Sequence, residues 1–125
     1  MAKAKLPTIK WLADVADHDY PAALSYLSLI YDEDIAAKIV RRLRKASFTE
    51  FKAKDILRAS QLSSLGMRNA HVIKDQKKIM KGTALSPLLL VRAPEIGRVI
   101  VADGYHRLCA VYELAEDATI PCKIV

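Results

Sequence analysis

Residues 103–107, Asp-Gly-Tyr-His-Arg, stand where a β-like run, Arg98 to Ala102, hands over to a helical run. In the latter, Leu108, Val111, Tyr112 and Ala115 fall at core spacing. Glycine is the residue that lets a chain turn sharply between two such elements, because it tolerates a positive φ. A helix that starts there leaves its first backbone N–H groups without intrahelical acceptors. With an imidazole, a guanidinium and a carboxylate at the same corner, the sequence predicts a phosphate site.

The rest of the chain is read around that corner. Ile120 to Val125 closes as a strand, so the C-terminal unit is strand, tight turn, helix, strand; if both strands join one sheet, they are expected to run parallel with a right-handed crossover. Leu88 to Val91, after Pro87, reads as a buried strand, and Asn69 to Lys81 as a polar helix stopped by Gly82. Phe48 to Ala53 alternates as a strand does, and Asp55 to Arg58 turns into a short helix.

The first third is helical in character. Pro7 and Thr8 open a helix through about Ala16, and Asp19-Tyr20-Pro21 opens a second, with Asp19 near its N-cap and an apolar stripe of Ala23, Leu24, Leu27, Ile30 and Tyr31. A third begins at Asp32, Glu33 and Asp34 and ends near Arg41, Arg42, Arg44 and Lys45, charges that match the helix macrodipole at both ends. Its buried face is Ile35, Ala36, Ile39, Val40 and Leu43. Its basic end is accounted for by macrodipole matching and ordinary solvation, with contact to nucleic-acid phosphates as the alternative. The pattern changes at Ala46-Ser47, which divides a helical extension, residues 1–46, from an α+β core, residues 47–125, in one compact domain.

Composition bounds the function. A chain of 125 residues, 52% hydrophobic, has enough material for one real core. Its net charge of +6 suits polyanionic partners such as nucleotides or nucleic acid. No apolar run approaches the ~18 residues of a membrane span. Two cysteines, Cys109 and Cys122, lack disulfide-framework and zinc spacing, so reduced thiols and a cytoplasmic location are expected.

At the corner itself, Gly104 permits close approach of a phosphate, Arg107 can donate two parallel hydrogen bonds, and His106 can donate or shuttle a proton. Asp103 would repel a bare phosphate; it serves either as a ligand to Mg²⁺ shared with the phosphates or as a cap accepting the Tyr105 or His106 N–H. Lys74, Lys77, Lys78 and Lys81 follow one another along the preceding helix and supply positive potential near the pocket. His18 and His71 have no such neighbours in sequence and receive no role. Trp11 reads as a packing residue of the N-terminal helices rather than a base-stacking platform, and Cys109 as a small buried helix residue. Glu50, Asp55 and Glu113 are equal candidates for a general base.

From about Phe48 to Val125 the chain resembles the ParB/sulfiredoxin superfamily. The resemblance rests on Lys77-Lys78-Ile79-Met80-Lys81-Gly82, on Leu85-Ser86-Pro87-Leu88-Leu89-Leu90-Val91, on Ile100 to Ala110 with its glycine-led, arginine-containing helix start, and on Ile120-Pro121-Cys122-Lys123-Ile124-Val125. It implies a small mixed sheet with packed helices and a pocket for CTP, ATP or ADP, with phosphates on Gly104, Tyr105, His106 and Arg107 and Mg²⁺ near Asp103. Sulfiredoxins carry a catalytic cysteine directly before the His-Arg pair, where this chain has Tyr105. ParB CTPase domains place a glutamate and paired arginines after the glycine, where this chain has Tyr105, His106 and Arg107. The order is nearest to the Asp-Gly-His-His-Arg of the free-serine kinases of the superfamily, with Tyr105 in place of the first histidine.

Three functions follow. The first is nucleotide or phosphorylated-ligand binding at the Asp103 to Arg107 turn, with NTPase or phosphotransferase chemistry to be tested. The second is a DNA-associated accessory role, although no helix-turn-helix follows the core. The third is a non-enzymatic interaction protein whose helical first third, with Tyr20, Tyr26, Leu29 and Tyr31, docks a partner or a second copy.

Overall fold

Four successive apolar residues, Leu88-Leu89-Leu90-Val91, require a strand covered on both faces, since neighbouring side chains on a strand point to opposite sides. The computed structural model, which describes residues 8–64 and 69–125, has that arrangement. Leu88 and Leu90 enter one core and Leu89 and Val91 a second, and all four are buried.

The elements run α1 (Asp19–Leu27), α2 (Glu33–Lys45), β1 (Phe48–Lys52), α3 (Ala53–Ser60), α4 (Ala70–Lys81), β2 (Leu88–Ala93), a 3-10 turn (Pro94–Ile96), β3 (Arg98–Asp103), α5 (Tyr105–Leu114) and β4 (Thr119–Ile124). The class is α+β. The sheet order is β1-β4-β2-β3, with β1 antiparallel to β4, β2 antiparallel to β3, and β2 parallel to β4. On one face, α3, α4 and α5 contribute Ile56, Val72, Ile79 and Leu108 to the first core; on the other, α1 and α2 contribute Ala23, Leu27, Ala36, Ile39, Val40 and Leu43 to the second. Among the described residues, no helix is long and apolar enough to cross a membrane.

Local chemistry explains the helices that the sequence predicts. Asp32 caps α2 by accepting from the Ile35 N–H at 3.0 Å. Asn69 caps α4 by accepting from His71 and Val72, and Gly82, at φ +75, ends it in the left-handed conformation. Cys109 is buried in the first core, as expected of a small helix residue, and Cys122 is buried there too. Trp11 packs as expected, but against this first core and not among the N-terminal helices, because its own segment forms no helix.

Three expectations are corrected. No helix forms from Thr8 to Ala16, and Pro7 lies outside the described residues; the segment has an isolated bridge from Trp11 to Leu85 and a bend at Ala13 and Asp14. Its backbone bonds go to tertiary partners, Leu12 N–H to Leu85 C=O at 2.8 Å, Leu85 N–H to Lys10 C=O at 2.9 Å and Ala16 N–H to Ser86 Oγ at 3.0 Å. Meanwhile the Asp14 carboxylate accepts from the Val15 N–H, a local bond that competes with a helix. Secondly, β3 and β4 do not run parallel: the turn at Pro94–Gly97 folds β3 back on β2, and it is β2 that lies parallel to β4. Thirdly, Ile35 is exposed rather than buried, because it lies in the first turn of α2, outside the Ala36, Ile39, Val40 and Leu43 stripe.

Candidate functional site

Strand β3 delivers Asp103 to the end of the sheet, and Gly104, at φ +106, turns the chain into α5. An ideal Cβ on Gly104 would meet Leu88 Cγ at 2.8 Å and Arg107 Nη2 at 2.9 Å. The space that the missing side chain leaves is therefore filled by protein, and on that side Gly104 serves packing rather than phosphate approach.

Arg107 is turned inward. Its Nη2 donates to Asp103 Oδ2 and to Asp19 Oδ2, each at 3.1 Å, and its Nε is buried with no acceptor among the described residues. Asp19, at the start of α1, also accepts from Ser86 Oγ at 2.6 Å and lies 3.2 Å from His18 Nε2. The guanidinium thus joins the start of α5 to the start of α1 across the end of the sheet. Asp19, His18 and Ser86 are members of this cluster that sequence spacing did not reveal. Asp19 looked like a cap, whereas the residue before α1 is His18 and it caps with no side-chain bond.

Burial pushes the Asp103 carboxyl up to about 6; Arg107 works against that rise, and the Asp19 charge adds to it. Neither expected role of Asp103 matches its contacts. Its carboxylate receives Arg107 rather than the Tyr105 or His106 N–H, so it is not the cap. As for Mg²⁺ shared with phosphates, the Arg107 guanidinium already bridges Asp103 and Asp19, so an ion there would have to displace it; among the described residues no group of three His, Cys, Asp or Glu stands together to hold a metal ion.

Outward from this cluster lies a polar cleft of about 170 Å³, lined by His71, Lys74, Asp75 and Lys78 of α4 and by Asp103, Gly104, Tyr105, His106 and Arg107. The α5 start and the α4 lysines therefore do converge. Lys74 and Lys78 reach the cleft because they are one helical turn apart; Lys77 and Lys81 are not among its lining residues. His71 was not foreseen, and its ring centroid lies 4.7 Å from that of His106. Burial first, then the His71 and Arg107 charges, hold the His106 imidazole below its ordinary value, with Asp75 opposing. Near neutral pH it is a neutral donor. Tyr105 points away, donating its hydroxyl to the Ser63 carbonyl.

A larger hollow, about 610 Å³, is bordered by Lys52, Lys54, Asp55, Arg58 and Tyr112. Its cations are already matched, Lys54 with Asp117 at 2.9 Å and Arg58 with Asp55 at 3.2 Å. Of the general-base candidates, Asp55 borders this hollow, and none of Glu50, Asp55 and Glu113 lines the cleft at α5.

No protein-family model, no curated protein and no solved structure matches the chain.

Proposed function

We propose that this chain is a ParB/sulfiredoxin-like domain that binds a nucleotide or similar phosphorylated ligand through its phosphates in the cleft between α4 and the start of α5. One observation carries the reading: Lys74, Lys78, His71 and His106 line the same small cleft as the first turn of α5, whose backbone N–H groups have no intrahelical acceptors. The lysines act as point charges, and neutral His106 as a hydrogen-bond donor. Arg107 acts as a positioning residue that fixes the helix start. The cleft, about 170 Å³, is smaller than the roughly 300–1,000 Å³ of sites that enclose a whole ligand. Phosphates therefore sit inside, and ribose and base outside. Mg²⁺, where a nucleotide brings it, stays on the phosphates: Asp103 is held by Arg107, and Asp75 is the carboxylate of the cleft outside that cluster. We take the protein to work in the cytoplasm, where its thiols stay reduced.

A thermal-shift panel of ATP, ADP, CTP and pyrophosphate, each with and without Mg²⁺, tests this. Ligand at a hundredfold its Kd adds about 2.7 kcal/mol to stability. The shift should disappear in the Lys74→Ala/Lys78→Ala double variant and shrink in His106→Ala, but persist in Arg58→Ala. A panel without any shift would remove the reading in favour of an interaction protein.

A further inference from the structure

Helix α2 buries Ala36, Ile39, Val40 and Leu43 and turns an opposite face to solvent. On that face Lys38, Arg41, Arg42 and Lys45 recur at i, i+3, i+4 and i+7, so they form one row, all exposed, around a shallow hollow of about 300 Å³. Over seven residues the row spans roughly 10 Å at 1.5 Å rise per residue. None of the four is in an ion pair among the described residues, whereas Lys54, Arg58, Arg107 and Lys123 all have carboxylates within 4.0 Å. Even Asp34, one turn before Lys38, forms no pair with it. Matching the macrodipole does not account for the row, because that effect fades beyond the last turn and Lys38 and Arg41 precede it. Arg44, off the row, is used internally: its guanidinium carbon lies 4.3 Å over the Tyr20 ring and its carbonyl accepts from Lys123.

We infer that the Lys38-Arg41-Arg42-Lys45 row is a docking surface for the phosphate backbone of double-stranded DNA. Charge complementarity selects a dense polyanion, since duplex DNA carries one charge per about 1.7 Å. The row holds no aromatic side chain, which a single-strand platform needs for stacking. Its donors could meet a ribose 2′-hydroxyl oxygen but hold nothing that requires one, so duplex RNA is a competitor that the test includes. Ile35 is the one large exposed apolar residue of α2, too little for insertion into a membrane surface. Because the helix lies flat on the core through its apolar face, it presents side chains to the backbone and not to base edges, so binding is independent of sequence. The surface belongs to the α1–α2 layer, across the sheet from the α5 cleft, and acts independently of it.

Fluorescence anisotropy with a labelled DNA duplex, at 50 to 200 mM salt, tests the assignment on the full chain. Four phosphate contacts give a log–log salt slope near −3.6, a loss of roughly 150-fold in affinity over that range. Arg41→Ala/Arg42→Ala should halve the slope, leaving roughly a 12-fold loss, while Arg58→Ala/Arg98→Ala, which removes the same charge from exposed sites elsewhere, keeps the wild-type slope. Circular dichroism checks that each variant is folded. The assignment is overturned by equal slopes in wild type and the α2 variant, by an equal effect of the charge-matched control, or by tighter binding to single strands, duplex RNA or anionic vesicles than to the DNA duplex.

Discussion

At the residue scale, Gly104 carries two constraints at once, a φ of +106 and a Cβ position already occupied by Leu88 and Arg107. Gly97 carries only the first, at φ +68, with nothing within 4 Å of its Cβ position. Gly104→Ala should therefore cost on the order of 3 kcal/mol, from strain plus overpacking, and Gly97→Ala about 1–2 kcal/mol from the left-handed conformation alone. Urea unfolding of the two variants gives both numbers, and equal losses would contradict the packing role of Gly104. The need for glycine at this turn was legible in the sequence. Its reason was not: local pattern shows that a turn requires a positive φ, but not that a leucine from β2 fills the space beside it. The same limit hid His71, which gains its meaning only when α4 is laid beside α5.

At the scale of elements, the ends of β3, α5 and α1 are joined by Asp103, Arg107 and Asp19, and this junction responds to pH. The folded Asp103 carboxyl titrates at about 6, above its ordinary value of 3.8, so the folded chain holds a proton that the unfolded chain has released. Its stabilising contribution is fully present below pH 4 and is lost as pH rises through 6, with an upper bound of about 3 kcal/mol. Asp103→Asn keeps the shape and an acceptor for Arg107 without the titration. Its stability relative to wild type should rise between pH 4 and pH 7, as measured by paired urea unfolding curves; a relative stability that falls over that interval would mean that Arg107 wins over burial. The elements themselves were largely readable, since Asp32, Asn69, Gly82 and Pro87 are local signals for helix starts, a helix stop and a strand. The failures were tertiary. Residues 8–16 gave up a helix for bonds to Leu85 and Ser86, and the reversal at Pro94–Gly97 decided which strand β4 lies parallel to.

At the scale of the whole molecule, a sheet with Leu88 and Leu90 in one core and Leu89 and Val91 in the other separates two basic surfaces, the α4–α5 cleft and the outer row of α2. Neither surface was fully legible from the net charge of +6, because charge alone does not say which lysines and arginines are neutralised by neighbours. Arg107, the cation that stands out in the sequence, is committed to two carboxylates, while Lys74 and Lys78 line the cleft. The most direct test of a phosphate-binding cleft is a ¹⁵N–¹H NMR titration of the folded chain with pyrophosphate. A phosphate-binding cleft should give saturable shifts centred on the amides of Gly104, Tyr105 and His106 and on His71, Lys74 and Lys78. Shifts that do not saturate there, or that fall only along Lys38 to Lys45, would contradict it.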